Sequence, residues 1–260
     1  MKLTVDLNCD MGESFGAYQL GLDREVIKYV TSANIACGFH ASDPTVMKKT
    51  VGLCKTHRVM AGAHPGYPDL LGFGRRSMDC SEEEIMDYVI YQVGALKGFL
   101  DYYGLELQHI KLHGALYNRL VNEEQLFLRI CREAKKAFGD LIFLTLGTRK
   151  TTELKRISRA EGIRLALEAF PDRMYTDDGE LLSRKHKEAV IKDNDLIARR
   201  AVKMVLERGI ESVNGSWIDM DIDTLCIHGD NMESVEAAVK IHAYAQKEGI
   251  TLRPLGSFYK

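Results

Sequence analysis

Acidic, imidazole and lysine side chains recur in this sequence at the ends of short apolar segments. Carboxylates and imidazoles can bind divalent metal ions and transfer protons, and a lysine can stabilise negative charge, so such a set could perform acid–base or metal-assisted chemistry. The clusters, in chain order, are Asp6, Asn8, Asp10 and Glu13; His40 and Asp43; His64; Lys111 and His113; Glu168, Asp172 and Arg173; and His228, Asp230 and Asn231.

The apolar segments alternate with stretches of helical period, a pattern typical of a mostly parallel α/β fold. The predicted strands are Leu3–Leu7, Ala33–Cys37, Val59–Ala63, His109–Leu112, Leu141–Leu146, Arg164–Leu167 and Thr224–Ile227. The predicted helices are Asp43–His57, Ser81–Tyr103, Glu123–Phe138, Lys150–Glu161, Asp195–Arg208 and Met232–Glu248. Seven such units favour a distorted parallel (β/α) barrel over an open sheet. Because no linker interrupts the series, residues 1–260 are predicted to form one domain.

The polar clusters are predicted to converge, because the carboxyl ends of parallel strands lie at one edge of the sheet. Most predicted strands end in such a cluster, which independent structural anchoring does not explain. Single members keep an alternative structural role. These are Asp43 as a helix N-cap, Asp6 as a strand residue bonded to backbone, Tyr67 and Tyr117 as packing residues, and Cys9 and Cys37 as buried thiols.

A glycine-rich segment, residues 72–76, carries two adjacent guanidinium groups, Arg75 and Arg76. They could bind an anionic ligand, with a solvated surface loop as the alternative. The sequence contains no GxxxxGK[ST] phosphate loop and no GxGxxG fingerprint. Spacing alone therefore gives no indication of ATP use.

Composition excludes several classes of function. The 35 basic and 37 acidic residues give a net charge of -2 and are scattered along the chain, so no surface for nucleic acid or anionic membrane is indicated. The six cysteines form no CxxC pair, which predicts reduced thiols. The apolar runs are far shorter than the roughly 20 residues of a membrane helix. We therefore predict a cytoplasmic protein that does not bind membranes.

Six ordered motifs resemble those of the LamB/YcsF family, and the similarity covers almost the whole chain. They are Asp6-Leu7-Asn8-Cys9-Asp10-Met11-Gly12-Glu13, Asn34-Ile35-Ala36-Cys37-Gly38-Phe39-His40-Ala41, His64-Pro65-Gly66-Tyr67-Pro68-Asp69, Gly72-Phe73-Gly74-Arg75-Arg76, His113-Gly114-Ala115-Leu116-Tyr117-Asn118 and Ile227-His228-Gly229-Asp230-Asn231. The sequence departs from the usual pattern at Leu112 in place of proline, Ser42 in place of glycine, Pro171 before Asp172-Arg173, and Glu188 near an expected glycine.

The resemblance implies a seven-stranded β/α barrel similar to the glycoside hydrolase/deacetylase group. It also implies hydrolysis of the lactam of 5-oxo-L-proline to L-glutamate with cleavage of ATP, in a complex with two further subunits, B and C. Phosphorylation of the lactam oxygen would make the ring carbon a better electrophile, which explains the use of ATP. Self-association of the chain stays open.

For this chemistry we assign roles to the clustered residues. The catalytic candidates are Asp10, Glu13, Lys111 and His113; the metal candidates, for Mg²⁺ or alternatively Zn²⁺, are Asp10, His40 and His64; and the candidates for substrate or phosphate binding are Asn8, Arg75, Arg76, Asp172, Arg173, His228, Asp230 and Asn231. Within this set, Lys111 and Arg173 would face phosphate or the substrate carboxylate, and Asp230 would orient an imidazole.

Two other functions stay open at this point. An acid on the first strand with His40 and His64 on later strands is a ligand set suited to zinc, as in an ATP-independent metal-dependent deacetylase or hydrolase. Alternatively, the chain could be a non-catalytic subunit that holds substrate for its partners.

Overall fold

Seven parallel strands form a closed barrel in the computed structural model, which describes residues 3–229 and 231–259. The barrel strands are β1 (Thr4–Met11), β2 (Ser32–Ala36), β3 (Met60–His64), β4 (Leu107–Lys111), β5 (Ile142–Leu146), β6 (Arg164–Ala169) and, after a hairpin, β9 (Thr224–Ile227). Neighbours in the chain pair in sequence order from β1 to β6, and β9 pairs with both β6 and β1. The predicted parallel barrel is confirmed.

Helices connect the barrel strands and cover the outside of the barrel. They are α1 (Asp23–Val26), α2 (Pro44–His57), α3 (Glu82–Tyr103), α4 (Gly114–Asn122), α5 (Glu124–Phe138), α6 (Arg149–Ala160), α7 (Asn194–Glu207) and α8 (Met232–Lys247). Several short elements were not predicted. They are α1, α4, the antiparallel hairpin of β7 (Gly209–Glu211) and β8 (Trp217–Asp219), and the last strand, β10 (Thr251–Leu252). Across the described residues, no helix combines the length and apolarity needed to span a membrane.

The lower end of the barrel is closed by the chain's own C-terminal segment. The last short strand, β10 (Thr251–Leu252), pairs with the start of β1. The 3₁₀ turn that follows buries Leu255 against Ile142, Leu144 and Ala166, which project inward from β5 and β6. A small apolar layer therefore forms the floor of the barrel.

Polar residues occupy the barrel interior above this floor. Because the first predicted strand stopped before most of them, its predicted end was wrong. The first strand was predicted to end at Leu7, but β1 continues to Met11. Asp6, Asn8 and Asp10 therefore lie within the strand, alternating with buried apolar residues that pack against the helices. A polar residue that faces the barrel interior finds its hydrogen-bond partners on other strands. The hydrophobic pattern of a single segment does not show those partners, so it does not predict that the strand continues through polar residues.

Asp6 shows how such a residue is accommodated. Its carboxylate is fully buried and accepts hydrogen bonds from the hydroxyls of Thr31, Ser32 and Thr224. Burial raises the pKa of Asp6 to about 6, although these hydrogen bonds oppose the shift. The sequence-based alternative, a strand residue, is correct for Asp6, but its partners are side chains and not backbone groups.

Replacement of Gly62 by alanine is expected to destabilise the fold by about 3 kcal/mol. A Cβ atom at this β3 position would lie 2.0 Å from Nε2 of the fully buried His109 ring. The same Nε2 atom is 2.6 Å from Oδ1 of Asn34, so a displaced ring also loses a buried hydrogen bond. Urea unfolding monitored by circular dichroism measures the loss.

Gly98→Ala is the matched control for Gly62→Ala. An added Cβ at Gly98, which lies on α3, meets nothing within 4 Å. This helix position should gain roughly 0.5–1 kcal/mol from the alanine. Equal stability of the two variants would show that the His109 ring does not restrict the β3 backbone.

Candidate active site

Four side chains lie at the carboxyl ends of the barrel strands, which we call the upper end of the barrel. They form a group that could hold a metal ion. We call Glu13, His40, His64 and His113 the histidine cluster; one ligand atom from each lies within 4.8 Å of all the others. Glu13 follows β1, His40 lies between β2 and α2, His64 is the last residue of β3, and His113 immediately precedes α4. Four successive strands thus each contribute one potential ligand.

Backbone carbonyls fix the orientation of two rings in the cluster. Nδ1 of His64 is 2.7 Å from the Lys111 carbonyl oxygen, and Nε2 of His113 is 2.8 Å from the Phe73 carbonyl oxygen. Since a carbonyl oxygen only accepts, the ring nitrogens must donate there. In their neutral forms, the two rings then point lone pairs at each other, from Nε2 of His64 and Nδ1 of His113, 2.9 Å apart. A shared cation would remove this repulsion.

His40 supplies a second sign of a metal-ligand position. Its ring stacks on that of His113, with centroids 3.6 Å apart and an interplanar angle of 2°. Within the described residues, neither buried ring nitrogen of His40 has a hydrogen-bond partner, and Nε2 lies 3.5 Å from Oε1 of Glu13. Buried polar atoms are normally satisfied, so one of these two nitrogens fits a bound ion.

Both stacked rings are held neutral. Burial, reinforced by His64, lowers the pKa of His113 to about 3. Burial and the neighbouring histidines hold the pKa of His40 well below its usual value. Neutral imidazole is the form that coordinates metal ions.

A glycine-rich loop packs directly against these rings. A Cβ at Gly74 would lie 2.7 Å from the His40 Cβ and 2.8 Å from the ring of His113, and the residue has φ of +64°. The loop of residues 72–76 therefore covers the cluster, and glycine is needed for both contact and conformation.

Asp10 lies beside the cluster and links it to a buried lysine. One carboxylate oxygen is 2.9 Å from Nζ of Lys111 and accepts from Asn34 at 2.8 Å, and the other is 3.4 Å from Nε2 of His64. Burial disfavours the charged form, but His64 and Lys111 outweigh it and hold the pKa of Asp10 well below its ordinary value. Asp10 is therefore ionised, and it faces the cavity described below.

Lys111 is enclosed by protein groups. Its Nζ also lies 3.0 Å from Oε1 of Glu168 and 3.1 Å from Sγ of Cys226, and the side chain is 3% exposed. Burial alone would lower the pKa of Lys111, but Asp10, Cys226 and Glu168 raise it well above the usual value. Its three donors are thus directed at these neighbours.

Asn8 lies below this network and does not line the cavity. Its amide nitrogen donates to Glu168 at 2.9 Å and Thr224 at 2.7 Å, and its oxygen accepts from Asn34 at 2.7 Å. Tyr117, treated above as a packing candidate, also donates its hydroxyl to Glu168, at 3.1 Å. Asn8 and Tyr117 thus position the Glu168 carboxylate that faces Lys111.

A second imidazole group forms on the opposite side of the site. Nδ1 of His228 is 2.5 Å from Oδ2 of Asp172, and Nε2 is 3.2 Å from Nη2 of Arg184. Burial alone would lower the pKa of His228, but Asp172 raises it above the ordinary value; the His228 charge in turn lowers the pKa of Asp172 despite burial. We call these two residues the His228–Asp172 dyad.

A cavity of about 700 Å³ opens onto both groups. Asp10, His64, Lys111, His113 and His228 line it. Its cationic wall includes Arg75, Arg173, Arg184 and Lys185. The cavity therefore combines a base, a candidate metal site and positive charge suited to an anionic ligand.

The arginines predicted from sequence lie in three different settings. Arg75 lines the cavity with its guanidinium over the Phe73 ring, 5.0 Å from the centroid. Arg76 points to Asp69 and does not line the cavity. Arg173 is buried and donates to the carbonyl oxygens of Ala189 and Leu182, so it anchors the loop that precedes α7.

The remaining predicted residues have local roles. Asn231 is the N-cap of α8, accepting from the Ser234 backbone N–H at 2.9 Å, and Asp43 is the N-cap of α2. Asp230 lies outside the described residues. Burial raises the pKa of Cys37 to about 12, which is incompatible with a thiolate nucleophile. The hypothesis of a capping role for Asp43 is confirmed.

Arg184 and Asn34 contribute to the site but were not selected from sequence. Asn34 was quoted only as part of a motif, and its β2 position on the barrel interior becomes visible once the strand pairings are known. Arg184 lies in the loop between β6 and α7, which has no hydrophobic period to place it. Glu168 had been noted at a strand end, without a role.

The protein is a parallel (β/α) barrel with a histidine-rich, partly cationic cavity at the carboxyl ends of its strands. The LamB/YcsF family model matches residues 5–260, and the chain belongs to that family.

Named relatives match over nearly the whole length. The chain is 50% identical over 258 residues to the A subunit of 5-oxoprolinase from Pyrococcus furiosus, covering 99% of this chain and 100% of that protein. It is 48% identical over 254 residues to the Campylobacter jejuni protein of the same name, covering 98% of each. The crystal structure of the lactam utilization protein from Thermus thermophilus superposes with a TM-score of 0.88, at 41% identity, covering 96% of this chain and 99% of that one.

Proposed function

We propose that this chain is the A subunit of an ATP-dependent 5-oxoprolinase, which hydrolyses the lactam of 5-oxo-L-proline to L-glutamate. The observation that carries the proposal is the ionised Asp10 beside the histidine cluster, in a cavity with cationic walls, in a chain 50% identical to a protein of that name. A small anionic cyclic amide fits both the charge of this cavity and its proton-accepting group.

The histidine cluster fits a divalent metal ion, held by Glu13, His40, His64 and His113. Three imidazoles and one carboxylate suit Zn²⁺ better than Mg²⁺, which prefers oxygen ligands. Such an ion would polarise an oxygen of the substrate or lower the pKa of water. Asp10, proposed from sequence as a ligand, lies outside the four-residue group, and we assign it to proton transfer.

Each remaining group has a role that its contacts support. Lys111 acts through Asp10, because its charge keeps that carboxylate ionised. Arg75, next to the cluster, faces the transferred phosphoryl group with a guanidinium that makes no hydrogen bond within the described chain. Asp10 accepts a proton from the water that adds to the ring carbon.

The overall reaction balances with one ATP and two waters. The lactam oxygen takes the γ-phosphoryl group and ADP leaves. The first water then adds at the ring carbon, the C–N bond breaks, and the ring nitrogen takes a proton, leaving an acyl phosphate. A second water releases phosphate and glutamate. Since the sequence has no phosphate loop, we propose that subunits B and C are needed for the ATP-dependent step.

An assay of 5-oxoproline-dependent ATP hydrolysis, with and without the two candidate partner subunits, tests the proposal. We expect glutamate and phosphate in equal amounts from the full complex only. Asp10→Ala and His64→Ala should each reduce turnover at least ~100-fold while circular dichroism shows a folded barrel.

Near-wild-type turnover by both variants would contradict the assigned roles and leave a substrate-holding subunit. Zinc-dependent hydrolysis of an amide by the chain alone, without ATP, would instead identify the ATP-independent hydrolase.

A further inference from the structure

We propose that Arg184 binds the carboxylate of the substrate and that this binding frees Nε2 of His228 for proton transfer. This proposal rests on the proposed function. It adds a binding position for the substrate carboxylate and a step in which carboxylate binding releases His228. It follows from the position of one guanidinium between an imidazole and the cavity.

Arg184 blocks a nitrogen that is otherwise well placed for catalysis. Asp172 holds Nδ1 of His228, which fixes the ring and leaves Nε2 as the nitrogen facing Arg184. Nη2 of Arg184 donates to Nε2 at 3.2 Å, so Nε2 cannot take a proton from another group at the same time. The His228–Asp172 dyad therefore has the arrangement needed for proton transfer, but its Nε2 atom is already hydrogen-bonded to Arg184.

The Arg184 side chain has room to leave this position. Arg184 and His228 line both the main cavity and a smaller one of about 130 Å³, whose wall also includes Asp172, Lys192, Asn194 and Ile197. The Arg184 side chain is exposed, and the loop that carries it contains no helix. A guanidinium between two cavities can change partner without displacing the core.

Arg184 is well placed to bind a carboxylate, because its guanidinium lines the cavity next to the His228–Asp172 dyad. Lys111 is paired with Asp10 and Glu168, and Arg173 donates to two carbonyl oxygens. Arg75 lies beside the histidine cluster, over the Phe73 ring. Throughout residues 3–229 and 231–259, the Arg184 guanidinium makes no hydrogen bond other than the one to His228. A carboxylate accepts two charge-assisted hydrogen bonds from such a group and so competes well with a neutral imidazole nitrogen.

Once released, Nε2 of His228 can complete the ring opening. It accepts from Asp10 the proton that Asp10 has taken from the water whose oxygen bonds to the ring carbon. It then returns that proton to the ring nitrogen as the C–N bond breaks and the electron pair moves to nitrogen. No co-reactant beyond the lactam, water and ATP is needed.

The charged groups around His228 predict how the release would be observed. Asp172 faces it from the loop after β6, Arg184 from the same loop and Asp10 from β1, and the Phe170 ring stacks on it with centroids 6.2 Å apart. Burial and the Arg184 charge lower the pKa of His228, whereas Asp172 and Asp10 raise it. Moving Arg184 onto a carboxylate should therefore raise this pKa.

The test compares two lactams on the full chain, 5-oxoproline and 2-pyrrolidone, which lacks the carboxylate. Calorimetry should show that Arg184→Met weakens 5-oxoproline binding by roughly 10–100-fold but leaves 2-pyrrolidone binding unchanged. By NMR, 5-oxoproline should raise the pKa of His228 in the wild type. In Arg184→Met this pKa should already be raised without ligand and should not respond to it.

Lys187→Met is the matched control, because Lys187 is an exposed cation of the same loop and lines neither cavity. It should retain wild-type preference for 5-oxoproline, and Arg184→Lys should restore only part of it. If Arg184→Met kept both the preference and the ligand-dependent pKa shift, the inference would be overturned while the proposed function stood. If the wild type bound 5-oxoproline neither alone nor with its partner subunits, both would fall.

Discussion

Loss of His113 is expected to lower zinc affinity at least about 100-fold, because it removes one of four converging ligands. His113→Ala and Glu13→Gln should both be purified with far less than one equivalent of metal. Plasma mass spectrometry measures the content, and the visible absorption of the cobalt-substituted protein reports the coordination. Glu13→Gln changes almost no volume, so its effect is not explained by a failure to fold.

His57→Ala is the matched control for metal binding. His57 is the exposed last residue of α2, so its removal deletes an imidazole without touching the cluster. Retention of one tightly bound zinc by His113→Ala and Glu13→Gln would show that the four residues do not form a metal site. The close His64–His113 approach would then reflect a shared proton and not a pair of metal ligands.

Replacement of Lys111 by methionine is expected to destabilise the barrel by about 3–5 kcal/mol, because it leaves the fully buried Glu168 and the partly buried Asp10 without their counter-charge. Asp10 lies 2.9 Å and Glu168 3.0 Å from Nζ, and Glu168 is fully buried. Methionine retains most of the side-chain volume, so the loss measures charge and not packing. Thermal and urea unfolding of the purified chain give the value.

Lys97→Met provides the comparison for Lys111→Met. Lys97 pairs with Asp101 on the surface of α3, where both side chains are largely solvated. Such an exposed pair should contribute less than about 1 kcal/mol. A Lys111→Met variant no less stable than Lys97→Met would mean that the interior carboxylates take up protons without cost to the fold.

The sequence was sufficient for the architecture because seven apolar segments alternated with long amphipathic ones. It was insufficient for the short pieces. Helix α4 is separated from α5 by a single residue, Glu123, and each strand of the β7–β8 hairpin has three residues, so neither presents a full hydrophobic period. The strand ends were underestimated where polar side chains faced the barrel interior.

For the site, sequence predicted convergence but not distance. Asp10 and Glu13 are three residues apart, yet Glu13 belongs to the histidine cluster while Asp10 pairs with Lys111. That division depends on which way β1 faces and where it ends. Arg184 could not be selected at all, because it lies in a loop whose path is set by the buried contacts of Arg173.

The apolar floor of the barrel blocks its lower end to substrates and products. It is formed by Leu255, Ile142, Leu144 and Ala166. With the lower end filled, molecules that enter the described barrel at its upper rim must leave by the same route. Under the proposed function, glutamate and phosphate would leave through the opening that admits the lactam, and a partner chain bound over this opening would have to shift before they leave. Binding of a partner chain over the rim and release of the products would then compete for the same opening.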